Sequence, residues 1–276
     1  MASYSSLTLS QKMLIISLIL LNSLLAASAG NFLKDFDIID GHENAKILNN
    51  GQLSIATLGP GSGTAFASQK DYLFGKFDIQ LKFDPKNTAL VNFNYYLTTR
   101  GATPEILMNI TGAERGDRFI LETGFAPENK KEQRIYLWFD PRANFHTYSI
   151  LWNSEQIIFY VDDTPIRVFK NLKSPDVPFP TYYPMQVSFD IWNNNVPEKK
   201  APLTATLRNF SADACVWSSQ SSRCNSLGTW RSQMLDFHGI NKLKWVQRKF
   251  MIYNYCADKA RFPHGPPQEC SANNLA

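Results

Sequence analysis

Lys76-Phe-Asp-Ile-Gln-Leu-Lys-Phe83 alternates polar with apolar residues along its whole length. Side chains of an extended chain point to opposite faces with a period of two. Phe77, Ile79, Leu81 and Phe83 therefore share one face, and Lys76, Asp78, Gln80 and Lys82 share the other. Such a segment is a half-buried β-strand with its apolar residues turned inward. Val91, Phe93, Tyr95 and Leu97 repeat the pattern against Asn92, Asn94 and Tyr96. Further strand-like runs span 134–139, 147–152, 157–161, 185–191 and 205–210. Turn chemistry separates them: Gly59-Pro-Gly-Ser-Gly63, Asp84-Pro-Lys-Asn87, Asp140-Pro141 and Asp162-Asp-Thr-Pro165. Many short strands with regular turns and few helical windows predict an all-β antiparallel sandwich.

Working outward, the N-terminal end sets the compartment. Lys12 precedes an apolar run from Met13, and Ala27-Ser28-Ala29 has the small-x-small form of a cleavage site. Asn22 and Ser23 interrupt the run too early for a membrane span. Residues 1–29 are read as a secretory signal, with the mature chain starting at about Gly30. The net charge of +4 comes from 28 basic and 24 acidic residues scattered among one another, which is no nucleic-acid footprint. No further apolar segment approaches a membrane span.

The cysteines, Cys215, Cys224, Cys256 and Cys270, lie near the C-terminal end. An even number in an oxidising compartment predicts two disulfides, for which three pairings exist. Nearest-neighbour pairing closes two short loops and is the expectation. A zinc site is the competing reading, but there is no Cys-x-x-Cys pair. His42, His146, His238 and His264 are also far apart, so no metal is expected. Nothing in the sequence implies a cofactor or an obligate oligomer.

Several strands carry Asn, Gln, Tyr and Trp on the face opposite their apolar residues. These side chains stack on and hydrogen-bond to neutral polyhydroxylated ligands. Tyr96, Trp138, Trp152, Tyr160 and Trp192 are the candidates for lining a carbohydrate groove. From about Ala212 the pattern changes to cysteines and the basic, aromatic stretch 241–255, which reads as an appendage stapled onto the sandwich.

Ordered landmarks then identify a family. They are Tyr72-Leu-Phe-Gly75, Glu132-Gln-Arg134, Leu137-Trp-Phe-Asp-Pro141, Phe145-His-Thr-Tyr-Ser-Ile150 and Pro165-Ile-Arg167. Arg208-Asn-Phe-Ser-Ala-Asp-Ala-Cys215, Leu243-Lys-Trp-Val-Gln247 and Met251-Ile-Tyr-Asn-Tyr-Cys256 follow. The chain resembles the plant xyloglucan endotransglucosylase/hydrolases of glycoside hydrolase family 16 over nearly its whole mature length. The resemblance implies a curved β-jelly roll over residues 30–211, with an open cleft for a β-glucan, and a C-terminal extension over 212–276. It also implies a cell-wall (apoplastic) location and the nearest-neighbour cysteine pairing. Substrate contacts are expected from Tyr96, Glu122, Thr123, Glu132, Arg134, Trp138 and Trp192.

The family's active strand reads His-Asp-Glu-Ile-Asp-Phe-Glu-Phe-Leu-Gly, and it aligns with Thr103-Pro-Glu-Ile-Leu-Met-Asn-Ile-Thr-Gly112. The resemblance places Glu105 at the nucleophile, Leu107 at the supporting Asp and Asn109 at the acid/base Glu. Period-two spacing turns all three toward the groove. A retaining transfer needs two carboxyl groups about 5–5.5 Å apart, one attacking and one protonating the departing oxygen. An amide can donate a hydrogen bond but cannot deliver a proton. Leu107 should leave Glu105 in an apolar setting that raises its pKa. Transfer is therefore expected to be weak or lost, unless a carboxylate such as Glu122 substitutes. Glu114 and Asp117 are expected to be solvated.

Other departures point the same way. Gly124 stands where the family has an Asn, Ala113 removes the family's usual sequon, and the long Trp-Ala-Thr-Arg-Gly-Gly loop is missing after Trp192. Asn109-Ile-Thr111 and Asn209-Phe-Ser211 are N-glycosylation sequons.

Overall fold

The computed structural model describes residues 8, 11, 30–85, 91–102, 105–112, 118–125, 131–192, 202–218 and 228–272. Glu114, Asp117, Cys224, the signal stretch and the segment after Trp192 lie outside the described residues. No helix among the described residues is long and apolar enough to cross a membrane.

Two antiparallel sheets face each other across one apolar core, as the alternation predicts. The first six strands are β1 (Phe36–Asp40), β2 (Ala45–Leu48), β3 (Leu53–Leu58), β4 (Thr64–Ser68), β5 (Tyr72–Phe83) and β6 (Asn92–Thr98). Next come β7 (Ile106–Gly112), β8 (Phe119–Phe125), β9 (Gln133–Tyr136), β10 (His146–Trp152) and β11 (Gln156–Val161). The last are β12 (Thr164–Lys170), β13 (Gln186–Ile191), β14 (Leu203–Val216) and β15 (Met251–Asn254). An eight-stranded sheet has the order β1-β4-β13-β6-β7-β8-β9-β15, and a seven-stranded sheet has the order β12-β11-β10-β5-β14-β3-β2. Crossing between sheets in this way is the jelly-roll solution to burying two apolar faces against each other.

The core confirms the reading of the opening stretch. Phe77, Ile79, Leu81 and Phe83 are fully buried, and Phe93, Tyr95, Leu97, Ile106, Met108 and Ile110 meet them from the other sheet. β5 can be long and central because Gly75 lets β14 come close. A Cβ there would lie 2.3 Å from that of Ala214, and the backbone sits at φ +155°.

Two expectations change, and the extension adds a helix. β14 runs from Leu203 to Val216, past residue 211, so the sandwich's last strand continues into the segment read as appendage. The run from Arg134 stops being a strand at Tyr136. Residues 237–250 form a helix, α2, with Asp236 capping its N-terminus through the Gly239 amide; the single turn Phe32–Asp35 is α1. β15 follows α2 directly and adds itself to the edge of the eight-stranded sheet beside β9.

The extension is clasped as well as paired. Cys256 and Cys270 form a disulfide, as expected for one of the two pairs. Cys215 is also disulfide-bonded. Arg167 lies buried beneath the join, donating to the Thr123 carbonyl at 2.6 Å, the Thr123 hydroxyl at 3.0 Å and the Lys131 carbonyl at 2.5 Å. Burial lowers its guanidinium pKa to about 10, partly offset by Tyr255, Glu132 and Glu269.

Candidate functional site

β7 is central in the eight-stranded sheet, between β6 and β8. Its inner face carries Ile106, Met108 and Ile110, at most 1% exposed. Its outer face carries Glu105, Leu107 and Asn109, the alternation that the strip predicts. Glu105 extends the strand by one ladder bond, its amide donating to the Leu97 carbonyl at 2.9 Å. Register then sets a transverse row at the level of Asn109: Asp190 on β13, Asn94 on β6, Asn109, Glu122 on β8 and Arg134 on β9. One step along, Ser188, Tyr96, Leu107 and Gly124 form the next row.

Glu105 is half-buried. The Thr99 hydroxyl donates to its Oε1 at 3.3 Å. Burial raises its carboxyl pKa above the ordinary value, and the Thr99 bond offsets part of the rise. This is the direction expected from an apolar neighbour, and Leu107, 7% exposed, is part of that setting.

Asn109 is more constrained than the sequence suggests. Its Nδ2 donates to Asn94 Oδ1 at 2.7 Å and to Asn92 Oδ1, with the Phe93 carbonyl at 3.4 Å as a third acceptor. A primary amide has only two N–H bonds. Both donors of Asn109 are therefore directed at its neighbours. Asn94 is held in turn: its own Nδ2 donates to Asp190 Oδ1 at 2.7 Å, which turns the Asn94 carbonyl toward Asn109. Burial raises the Asp190 carboxyl pKa, while bonds from Asn94 and Tyr96 oppose the rise. Tyr96 is half-buried, and burial followed by the Asp190 charge pushes its phenol upward.

Glu122 stands directly opposite Asn109 in register. Its Oε2 is 2.5 Å from Arg134 Nε, a charge-assisted pair at the surface of the sheet. Tyr96, Glu122 and Arg134 thus share the outer face with the strip. Trp192 is 39% exposed at the opposite end of that face from Glu105, where its amide donates to the Asn92 carbonyl at 3.1 Å.

Other candidates sit elsewhere. Thr123 points inward, 2% exposed, and binds Arg167, so it is structural rather than groove-lining. Glu132 is taken by Arg261 of the extension, with both carboxylate oxygens 2.8 Å from Nη1. Trp138 packs at the sheet edge against Trp245 and Phe250, with centroids 5.5 and 5.6 Å away. Trp152 is fully buried in the core, and Tyr160 packs with Trp230 and Leu243 behind the seven-stranded sheet. Neither lines a groove on the strip's sheet.

Comparison with known proteins fixes the kinship. The profile described as Glycosyl hydrolases family 16 matches residues 32–208. A second, described as Xyloglucan endo-transglycosylase (XET) C-terminus, matches residues 224–270. Xyloglucan endotransglucosylase protein 1 of Diospyros kaki is 46% identical over 265 residues, covering 91% of this chain and 92% of that protein. This chain belongs to the xyloglucan endotransglucosylase/hydrolase family. A second member, xyloglucan endotransglucosylase/hydrolase protein 22 of Arabidopsis thaliana, is 42% identical over 94% of this chain and 97% of its own length. The family's sandwich is shared with a Bacillus licheniformis β-glucanase (TM-score 0.50, 17% identity, 65% of this chain and 91% of that one).

Within this member of the xyloglucan endotransglucosylase/hydrolase family, sequence reasoning missed Asn92, Asn94 and Asp190 as site residues. Their signal was parity, since each is the polar partner in an alternating strand. Thr99, beyond the end of β6, carried no such signal.

Proposed function

We propose that this chain is a secreted plant cell-wall protein, monomeric, that binds a xyloglucan-type β-glucan across the outer face of its eight-stranded sheet. In this reading its transfer and hydrolysis of that glucan are weak or lost. The observation that carries the reading is the state of Asn109. At the position where the family resemblance puts the proton carrier stands an amide whose two N–H bonds are both spent on Asn92 and Asn94. It can neither protonate a departing sugar oxygen nor donate to it, and loss of general acid–base help costs about 10²–10⁴ in rate. Glu105 supplies a carboxyl group suited to attack, but burial favours its neutral form.

Exposure bears on modification. Asn109 is only partly exposed within a central strand, so its sequon stays unmodified in this reading. Asn209 is exposed at a bulge of β14, with φ +51°, and is the glycan carrier.

A second reading, an active enzyme with a substitute acid, has one observation in its favour: Glu122 lies beside Asn109 on the next strand. Against it, the Glu122 carboxylate is already engaged, with Arg134 Nε donating to its Oε2 at 2.5 Å. The test combines a transfer assay, using labelled xyloglucan oligosaccharide acceptor, with electrophoresis through a xyloglucan-containing gel. Retarded migration without transfer is expected. Robust transfer that disappears in Glu122→Gln would establish the second reading instead.

A further inference from the structure

The loop between β12 and β13 has a feature that neither the sheet nor the extension uses. It contains Pro175, Pro178, Pro180 and Pro184, whose rings fix φ and stiffen the backbone. It is also pinned to the body. Trp152 Nε1 donates to the Pro180 carbonyl at 2.9 Å, the Phe179 ring stacks on Phe169 at 6.3 Å, and the Asn171 amide donates to the Glu155 carbonyl at 2.8 Å. On this rigid support Tyr182 and Tyr183 project into solvent, 82% and 63% exposed.

Their surroundings give the exposure a direction. Both tyrosines line a cavity of about 170 Å³ that also holds Glu105, closed below by Phe125 and Phe179. Tyr182 further borders a shallower depression of about 630 Å³, whose rim includes Glu155, Asn171 and Lys173. Tyr182 is thus a ridge between two hollows, one of which opens at the candidate nucleophile.

We propose that Tyr182 and Tyr183 form a saccharide-stacking platform that continues the glucan site beyond Glu105. This rests on the glucan-binding reading above and names a subsite for it. A pyranose ring has an apolar face of C–H groups and a polar rim. An exposed phenol ring matches the face, and the carboxylate, amide and ammonium groups of the depression match the rim. Holding the rings on a proline-stiffened, anchored loop prepays the ordering cost of binding, so little contact energy is lost to immobilising them. The ring that docks is either a backbone glucosyl unit or a branch sugar, because both present the same face.

Calorimetric titration of the full chain with a xyloglucan oligosaccharide and with an unbranched cello-oligosaccharide separates these sources. The Tyr182→Ala/Tyr183→Ala double variant should bind about tenfold more weakly, and the corresponding Phe double variant should bind like the wild type. N-acetylimidazole should acetylate both tyrosines in the free protein and be blocked by the bound oligosaccharide. A loss with the branched ligand alone assigns the platform to a branch sugar; a loss with both assigns it to the backbone. Wild-type binding that the Ala variant leaves unchanged overturns the platform but not the glucan site. An equal loss in the Phe variant overturns stacking, since the hydroxyls would then carry the contact. If the wild type binds neither ligand, the glucan-binding reading itself falls and the platform with it.

Discussion

The two faces of β7 have opposite histories written on them. On the inner face, Ile106, Met108 and Ile110 fill the core among Phe83, Phe93 and Leu121 and are essentially unexposed. On the outer face, Glu105, Leu107 and Asn109 occupy the positions where the family resemblance puts nucleophile, support and acid/base, and only the first is a carboxylate. The faces alternate residue by residue, so substitution on one leaves the packing of the other intact. Fold and catalytic positions are encoded in the same stretch, Glu105 and the strand that follows it, but at opposite parities. Kinship over most of the chain therefore secures the sandwich without securing the chemistry.

The sharpest way to break this contrast is to rewrite the outer face alone. Leu107→Asp with Asn109→Glu places carboxyl groups two and four residues along the strand from Glu105, on the same face. Transfer to labelled xyloglucan oligosaccharide should rise by about 10²–10⁴-fold over the wild type, with the double variant above either single one. A folded double variant with no gain would show that the missing carboxyl groups are not what limits transfer. The inner face should respond in stability. Met108→Ala removes a fully buried side chain and should cost about 2–5 kcal/mol in chemical denaturation, without altering which glucans the folded protein binds. A near-neutral result would mean that the core around β7 is loose, and the separation of faces would lose its basis.

How much of this could be read in advance follows the same parity argument. Alternation located β5, β6 and β7 and told their faces apart, because one face of each is apolar and the other polar. It also located β10 and β11 to within a residue but could not tell their faces apart, because their residues are buried almost throughout. There the extension covers the outer face of the seven-stranded sheet, and Leu151, Ile158 and Tyr160 pack against Trp230 and Leu243. A strand buried on both sides has no polar face to expose its orientation, so the sequence pattern points Trp152 and Tyr160 to a groove they do not reach. β14 ran longer than its apolar pattern because a register shift between Arg208 and Ser211 interrupts the period. Glu132 and Thr123 were misplaced for a different reason. Their partners, Arg261 and Arg167, are 129 and 44 residues away, and pairing over such distances leaves no local mark. The commitment of Asn109 was likewise invisible, since it depends on which way two neighbouring amides are turned.

The smallest expected effect concerns pH, and it tests whether Glu105 really belongs to the altered face. Its carboxyl is raised from the ordinary value of 4.5 by burial, against the opposing Thr99 bond. Folding therefore favours the neutral acid. The stability associated with that preference is fully present below the unfolded-state pKa and is lost as pH rises through the higher folded-state value. Glu105→Gln cannot ionise and should lack this dependence. The unfolding midpoint of the wild type, measured relative to Glu105→Gln, should thus fall as pH rises from below about 4.5 toward neutrality. Asp190 has the same sign of shift, but it is present in both proteins and cancels in the difference. A difference that grows with pH would mean that the surroundings stabilise the Glu105 carboxylate. The setting of Glu105 would then favour the attacking carboxylate, and the proposed impairment would rest on Asn109 alone.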